Sequence, residues 1–194
     1  MLYTITGASA SGKTTLVKEL LKRHPGTVEK VVSTTSRPPR PGETDGVDYH
    51  FISKSDFTAA IVRGEFAEFT KFDDNYYGLR RSDIEKAIAA DIGIFIVEQN
   101  GRRKLKDMYG DDIRCVYIGI DPGKAMIRMK NRDGWSKAKK RVKADIDNGL
   151  YDTSGYDCVL KNDSTKKELA YNFMNYVEAV FQWQILYEKT KNTA

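Results

Sequence analysis

The sequence has few cysteines and histidines and contains no long apolar run. Its two cysteines, Cys115 and Cys158, are far apart and lack metal-ligand spacing, so a disulfide scaffold and a cysteine-rich metal fold are excluded. We therefore expect a reducing compartment. His24 and His50 have no ligand partners at metal spacing either. No apolar stretch approaches the roughly 20 residues of a membrane-spanning helix. The short amino-terminal apolar run enters a glycine-rich turn, which is atypical of a signal peptide. The expectation is a cytoplasmic protein without a membrane segment.

The overall composition is that of an ordinary globular protein. Of the 194 residues, 40% are hydrophobic and 30% are charged, and the length suits one domain with its own core. The formal net charge of +5 favours anionic partners. Phosphorylated metabolites, nucleic acid and plain solubility all fit that charge.

Apolar runs typical of buried strands alternate with helical patterns along most of the chain. This alternation predicts an α/β fold, in which a parallel sheet carries helices on both faces. Two segments interrupt the rhythm, and we interpret them as an inserted lobe at 33–77 and a smaller basic insertion at 131–141. The predicted strands lie at 2–6, 28–32, 66–72, 92–97, 113–120 and 156–160.

Capping signals predict where several helices begin. Asp121 followed by Pro122 is typical of a cap and a first helical residue. Ser82 with Glu85 three residues later fits a capping box, and Ser55 is a further candidate cap.

The stretch "GASASGKTT" fits the phosphate-binding pattern G-x-x-x-x-G-K-[ST]. Short motifs occur by chance, but this one lies between a predicted buried strand and an amphipathic helix. Glycines let backbone N–H groups curl around phosphate oxygens, and the helix amino terminus adds partial positive charge. Lys13 would reach the β- and γ-phosphates, and the Thr14 hydroxyl would bind Mg²⁺. The predicted ATP-binding residues here are Gly7, Ala8, Ser9, Ala10, Ser11, Gly12, Lys13, Thr14 and Thr15.

A second basic stretch, "STTSRPPRPGETDGVDYHF", follows the second predicted strand; we call residues 33–51 the arginine loop. The two prolines between Arg37 and Arg40 favour polyproline geometry. Because this geometry repeats every three residues, the two arginines would project from the same side of the chain. Two guanidinium groups at that spacing can converge on one phosphate, with the Tyr49 hydroxyl as a further donor. A solvated basic loop is the alternative. The phosphate loop upstream favours an acceptor-phosphate site.

With "EFAEFTKFDDNYYGL", "NRDG…KKR" and "KND", these segments make the sequence similar to the guanylate kinase family. The resemblance runs from the first strand to the last helix. It implies a three-layer P-loop kinase that transfers the γ-phosphoryl group of ATP to GMP or dGMP with Mg²⁺. It also implies a core at 1–32, 78–130 and 142–194, a nucleoside-monophosphate-binding lobe at 33–77 and a lid at 131–141. Monomer and homodimer both remain open, and neither nucleic acid nor a membrane is expected as a partner.

The resemblance also assigns roles to individual residues. Glu68 would accept hydrogen bonds from the guanine edge, and Asn162 would contact the adenine end of ATP. Arg128 would assist. The residues implied to hold the acceptor phosphate are Ser33, Arg37, Arg40, Tyr49 and Tyr77, and those implied in catalysis are Lys13, Arg37, Arg132 and Arg141.

The sequence departs from the family pattern at three points. Leu79 stands where the family usually has a serine or threonine facing the base, so either one hydrogen bond is lost or base specificity changes. Ile96 replaces the first of two acids, while the second is the longer Glu98. The lid is about two residues shorter between its arginines. A kinase with broadened or altered base choice, for example one that acts on deoxynucleoside monophosphates, is therefore one alternative. Another is a non-catalytic binding module, which Lys13, Thr14 and the lid arginines disfavour.

Overall fold

The computed structural model describes residues 1–163 and 165–191, and all statements below concern these residues. Of the predicted core segment 142–194, residues 164 and 192–194 lie outside this range. The strands are β1 (Leu2–Thr6), β2 (Val28–Lys30), β3 (Thr34–Thr35), β4 (His50–Phe51), β5 (Phe66–Phe72), β6 (Asn75–Arg80), β7 (Ile92–Ile96), β8 (Ile113–Gly119) and β9 (Cys158–Lys161). The helices are α1 (Lys13–Arg23), α2 (Lys54–Val62), α3 (Arg81–Ala89), α4 (Gln99–Tyr109), α5 (Pro122–Asp133), α6 (Trp135–Asp147) and α7 (Lys166–Lys191), with a short 3₁₀ turn at Gly110–Asp112.

The chain forms two compact units. The first comprises Met1–Ile5 and His24–Cys115, and the second comprises Thr6–Arg23 and Val116–Ala194. The division falls within β1 and within β8.

A parallel sheet forms the core of the first unit. Its strands follow the order β2, β7, β1 and the first residues of β8. Leu2 pairs with Gly93, and Val28 pairs with Ile92, both in parallel register. The residues of β1 are all buried, as expected for a strand covered on both faces. Together with the helices, this parallel sheet confirms the predicted α/β class.

The first unit also contains a separate four-stranded sheet, ordered β4, β3, β6, β5. Helix α2 packs against it through an aromatic cluster. The Phe57 and Phe66 rings are stacked with centroids 4.2 Å apart, and Phe57 also stacks on Tyr76 at 5.3 Å. Gly78 allows this packing, because a Cβ atom there would lie 2.7 Å from Phe66 Cδ1.

A β-bulge interrupts the antiparallel pairing of β5 with β6. Phe66 pairs with Arg80, but the next paired residue, Glu68, lies opposite Leu79. An uninterrupted register would place Glu68 opposite Gly78. The bulge therefore sets the cross-strand neighbour of the Glu68 side chain.

In the second unit, the carboxyl end of β8 pairs with β9 in parallel, and Val116 lies opposite Cys158. Helix α5 begins as predicted, with Asp121 accepting a hydrogen bond from the Lys124 amide and Pro122 in the first turn. Segment 131–141 comprises the end of α5, a break at Gly134 and the start of α6. A cluster of buried apolar residues joins α5 and α6 to the phosphate loop: Ala8, Ile120, Ala125, Met129, Ala138 and Val142.

Two predicted helix starts are wrong. Ser53 caps α2 instead of Ser55, accepting a hydrogen bond from the Asp56 amide at 3.0 Å. Ser82 is not a cap, because α3 begins at Arg81, directly after the last residue of β6. Among the described residues, none of the helices combines the length and apolar character that crossing a membrane would require.

Candidate active site

The phosphate loop connects β1 to α1 within the sequence Gly7–Thr14, and two glycines shape it. Gly7 has φ +151° and Gly12 has φ +99°, both in the region that favours glycine. A Cβ atom at Gly7 would clash with the Ile118 carbonyl oxygen, and one at Gly12 would clash with the Asn162 side chain. Ile118 and Asn162 therefore leave no room for a side chain at either position.

Two side chains from distant parts of the sequence hold the loop in shape. The buried Asn162 amide donates to the Ser11 carbonyl at 2.6 Å, and Arg128 donates to the Ala10 carbonyl at 3.2 Å. Ala10 has φ +59°, which is uncommon for a residue with a side chain. The Arg128 contact supports this strained position from outside the loop.

A cavity of about 420 Å³ opens beside the loop, and we call it the phosphate-loop cavity. Lys13 Nζ donates to the Gly7 and Ala8 carbonyls at 2.6 and 3.0 Å, so its ammonium group lies at the loop. The exposed Thr14 hydroxyl makes no hydrogen bond to a described residue. The lining residues are Ala10, Gly12, Lys13, Thr14, Thr15, Arg128, Arg132, Asn162, Lys166 and Leu169.

Ser9 connects the loop to helix α6. Asp145 is only 6% exposed, and its carboxylate accepts from the Ser9 amide at 2.7 Å and from the Ser9 hydroxyl at 3.3 Å. Arg141 Nε donates to the same hydroxyl at 3.3 Å. Because Asp145 satisfies the Ser9 backbone N–H, it fixes the first half of the phosphate loop.

Arg132, the other predicted lid arginine, contacts Asp133. Arg132 lines the phosphate-loop cavity, and its Nε and one terminal nitrogen donate to Asp133 Oδ2 at 2.9 and 2.7 Å. This pairing raises the pKa of Arg132 and lowers the pKa of Asp133. Arg132 is largely exposed and Asp133 is partly exposed, so a bound polyphosphate can compete with Asp133 for the guanidinium group.

The first unit contains its own cavity of about 630 Å³, which we call the carboxylate cavity. Strands β5, β6 and β7 and the first turns of α4 supply most of its walls. The lining residues are Ser33, Tyr49, Glu68, Phe69, Thr70, Lys71, Tyr77, Gly78, Leu79, Phe95, Ile96, Val97, Glu98, Asn100, Gly101 and Lys104.

Glu43 organises the arginine loop. It accepts from the Arg37 guanidinium at 2.8 Å and from the Arg40 backbone amide at 2.7 Å. The hydrogen bond from Arg37 is the main reason that the pKa of Glu43 is lowered. The Arg37 guanidinium also lies over the Tyr49 ring, 5.6 Å from its centroid. Glu43 therefore holds the Arg37 side chain in an ordered position beside Tyr49.

The Glu68 carboxylate lines the carboxylate cavity without a partner. It is partly buried and makes no hydrogen bond or ion pair to a described residue. Burial raises its pKa, while the nearby charge of Lys104 opposes that rise. Desolvating a carboxylate that has no hydrogen bond costs free energy. Such carboxylates are typical of ligand-binding sites.

Gly101 in helix α4 makes the room in which the Glu68 carboxylate lies. A Cβ atom at Gly101 would lie 2.7 Å from Glu68 Oε1 and 2.6 Å from Val97 Cγ2. Both distances are shorter than the 3.0 Å below which Cβ atoms in proteins essentially never approach another heavy atom. Glu98 precedes the helix as its cap residue, but its side chain makes no capping hydrogen bond, so its carboxylate can face the cavity.

The structure brings most of the predicted residues together within each unit. Ser33, Tyr49, Glu68, Tyr77, Leu79 and Glu98 all line the carboxylate cavity. Arg37 and Arg40 do not line it, although Arg37 contacts Tyr49. In the second unit, Ala10, Gly12, Lys13, Thr14, Thr15 and Asn162 line the phosphate-loop cavity, as does Arg132. Gly7, Ala8, Ser9 and Ser11 belong to the loop but not to the cavity lining, and Arg141 contacts the loop through Ser9.

Comparison with known proteins identifies the family. Residues 1–178 match the family model for guanylate kinase. A guanylate kinase from Histophilus somni is 33% identical over 201 residues, covering 100% of this chain and 94% of its own length. One from Symbiobacterium thermophilum is 33% identical over 174 residues, covering 88% and 81%. The chain belongs to the guanylate kinase family. The crystal structure of a guanylate kinase from Anaplasma phagocytophilum shares the fold, with a TM-score of 0.62 and 22% identity over 92% of this chain and 84% of that one.

Two positions at which the sequence analysis predicts a departure from the family pattern, Leu79 and Ile96, line the carboxylate cavity. Leu79 is 1% exposed and lies directly across from Glu68 in the sheet. Its side chain is apolar and presents no hydrogen-bond donor. Ile96 also lines the cavity. Any donor that reads the ligand here has to come from another residue.

Among the residues of the two sites that sequence reasoning missed are Glu43, Gly101, Lys104, Asp145 and Lys166. Glu43 had a usable signal, because an acid inside a basic loop is a candidate partner for its arginines. Asp145 had none, since 136 residues separate it from Ser9. Lys166 begins α7 and lines the phosphate-loop cavity, which only the folded chain reveals.

Proposed function

We propose that this guanylate kinase family member transfers the γ-phosphoryl group of ATP to GMP or dGMP, giving ADP and GDP or dGDP. One observation carries the choice of acceptor. The carboxylate cavity combines the hydroxyl groups of Ser33, Tyr49 and Tyr77 with the unpartnered carboxylate of Glu68. Hydroxyl donors suit a phosphate, and a carboxylate suits the N1–H and 2-amino donors of guanine.

ATP would bind with its phosphates along the phosphate loop. Backbone N–H groups, Lys13 and the amino terminus of α1 provide the positive potential that the phosphates need. Arg132 and Arg141 would exchange their present partners, Asp133 and Ser9, for phosphate oxygens. Such arginines stabilise negative charge that spreads over the transferring group. Asn162 contributes by shaping the loop and by lining the cavity.

The acceptor needs little chemical activation. A phosphate oxygen of GMP attacks the γ-phosphorus, and the bond from that phosphorus to the β–γ bridging oxygen breaks. The attacking oxygen is already anionic, so no general base is required. Positioning and charge neutralisation supply most of the catalysis. Arg37, Arg40, Tyr49 and Tyr77 would hold the acceptor phosphate, with Glu43 ordering the Arg37 side chain and the Arg40 backbone.

The residues present fit Mg²⁺. The Thr14 hydroxyl is exposed and unpartnered, and Mg²⁺ prefers oxygen ligands. Among the described residues, no cluster of three or more His, Cys, Asp or Glu side chains could hold a metal ion by itself. Thr14 would therefore hold Mg²⁺ together with phosphate oxygens of the nucleotide. The ion would supply neutralisation of phosphate charge.

The test is production of ADP from ATP and Mg²⁺ with a panel of ribo- and deoxynucleoside monophosphates. Turnover of GMP and dGMP alone is expected. Lys13→Met should abolish turnover, while Lys18→Met, on the exposed face of the same helix, should leave it near wild type. Turnover across a broad panel would show altered base choice. An intact protein without turnover on any acceptor would overturn the proposal in favour of a binding module.

A further inference from the structure

Lys104 lines the carboxylate cavity without any described partner. It makes no hydrogen bond or ion pair to a described residue. The other lysine of the cavity, Lys71, is already engaged: its ammonium lies 3.0 Å from Asp74 and 5.7 Å from the Tyr76 ring centroid. Lys104 is therefore the cation in this cavity that a ligand can contact without displacing an existing partner.

Helix geometry places Lys104 close to Glu68. Residues three apart on a helix share a face, and Gly101, three residues before Lys104, abuts the Glu68 carboxylate. The charge of Lys104 also opposes the upward shift that burial imposes on the pKa of Glu68. A ligand that contacts Glu68 thus lies within reach of the flexible lysine side chain.

The opposite wall cannot provide the same chemistry. Leu79 is the cross-strand neighbour of Glu68, and its apolar side chain offers no donor. A guanine has donors at N1 and the 2-amino group, but its 6-oxo group is an acceptor. A cavity that reads this edge completely needs a donor close to the carboxylate.

We propose that Lys104 is a specificity-determining residue that donates a hydrogen bond to the 6-oxo group of the bound purine. This inference rests on the proposed function, since it assumes that a nucleoside monophosphate occupies the carboxylate cavity. A cationic donor beside an anionic acceptor matches guanine. It opposes adenine, which presents an amino group at position 6 and an acceptor at N1.

The experiment compares dissociation constants for GMP, IMP and AMP, measured by calorimetry on the full chain. GMP and IMP both carry the 6-oxo group, and AMP does not. Lys104→Met should raise the dissociation constants of GMP and IMP by a similar factor, roughly 10- to 100-fold, because a charged hydrogen bond is lost. AMP should bind no more weakly than before. Lys104→Arg should restore most of the affinity for GMP.

Two further variants make the result specific. Arg103→Met removes an adjacent exposed cation that does not line the cavity, and it should leave GMP binding unchanged. Asn100→Ala removes another side-chain donor of the same helix that lines the cavity. The inference is overturned if Lys104→Met weakens GMP and AMP equally, if it matches Arg103→Met, or if Asn100→Ala alone produces the loss.

The same measurements separate this inference from the proposed function. Wild-type protein that binds GMP but fails to phosphorylate it would refute the kinase assignment. The comparison of GMP, IMP and AMP binding would still decide the role of Lys104. Conversely, normal GMP turnover with an inert Lys104→Met substitution would refute the inference alone.

Discussion

Replacing Gly101 with alanine tests whether the position of the Glu68 carboxylate controls guanine recognition. The new Cβ atom would lie 2.7 Å from Glu68 Oε1, whereas ordinary contacts begin at 3.4 Å. The carboxylate would have to retreat by roughly 0.7 Å, which lengthens a good hydrogen bond beyond its useful range. The cost of losing a charge-assisted hydrogen bond is about 1.5–3 kcal/mol. We therefore expect kcat/KM for GMP to fall about 10- to 100-fold.

Folding should survive this substitution. Alanine favours a helix interior over glycine by about 1 kcal/mol. Crowding of the buried Val97 side chain opposes this gain by about 1–3 kcal/mol. The net loss is then at most about 2 kcal/mol, which for a chain of this size lowers Tm by less than about 8 °C. Reduced activity in a protein with a near-normal Tm would locate the effect in the site.

The assay is steady-state ADP production with GMP or ATP varied in turn. The KM for ATP should stay within about twofold of wild type, because the atoms nearest to the new Cβ belong to Val97 and Glu68. Gly123→Ala is the matched control, since Gly123 also lies in a helix and its only close neighbour is the Asp121 carboxylate at 3.0 Å. If kcat/KM for GMP stayed within about twofold of wild type, Glu68 would not be reading the base from its present position.

Three further predictions concern other contacts. Asp145→Ala leaves the Ser9 amide without its acceptor, so the KM for ATP should rise about tenfold while the KM for GMP stays unchanged. Asp145→Asn should have an intermediate effect on the KM for ATP. Equal changes in both KM values would contradict a role of Asp145 in the phosphate loop. Burial raises the pKa of Glu68, so as the pH is lowered GMP affinity should begin to fall at a higher pH than for an ordinary glutamate. Calorimetry across pH checks this, and a Glu68→Gln protein should lose that pH dependence. Leu79→Ser should lower the KM for GMP several-fold if the position reads the base. Because Leu79 is 1% exposed, the same change should cost about 2–5 kcal/mol in thermal unfolding.

Local signals in the sequence predicted the parts of the fold that local physics controls. The apolar runs at β1, β7 and β8 mark strands buried on both faces, and the pair Asp121 and Pro122 marks the start of α5. Ser82 failed as a cap because β6 runs directly into α3, which leaves no separate capping residue. Ser55 failed because Ser53, two residues earlier, takes the same role.

The two sites differ in how much of them could be predicted. The phosphate loop is contiguous, so its spacing alone identified Lys13 and Thr14. Its supports, Asp145 and Arg128, come from helices far along the chain, and only folding brings them to Ser9 and Ala10. Their side chains act through long-range contacts that leave no periodic trace in the sequence.

The carboxylate cavity depends on strand register, which the sequence does not reveal. The bulge between Phe66 and Glu68 shifts the pairing by one residue, so Glu68 lies opposite Leu79 instead of Gly78. Phe66, before the bulge, packs in the buried aromatic cluster, while Glu68, after it, lines the cavity. A sequence comparison treats Leu79 as a lost polar reader, but in the folded chain it is a buried wall beside the carboxylate. The donor that this wall lacks can then come from α4, where Gly101 makes the room and Lys104 carries the charge. If Glu68 and Lys104 read the base as proposed, base recognition depends on the contact between β5 and α4, and substitutions at either element should change it together.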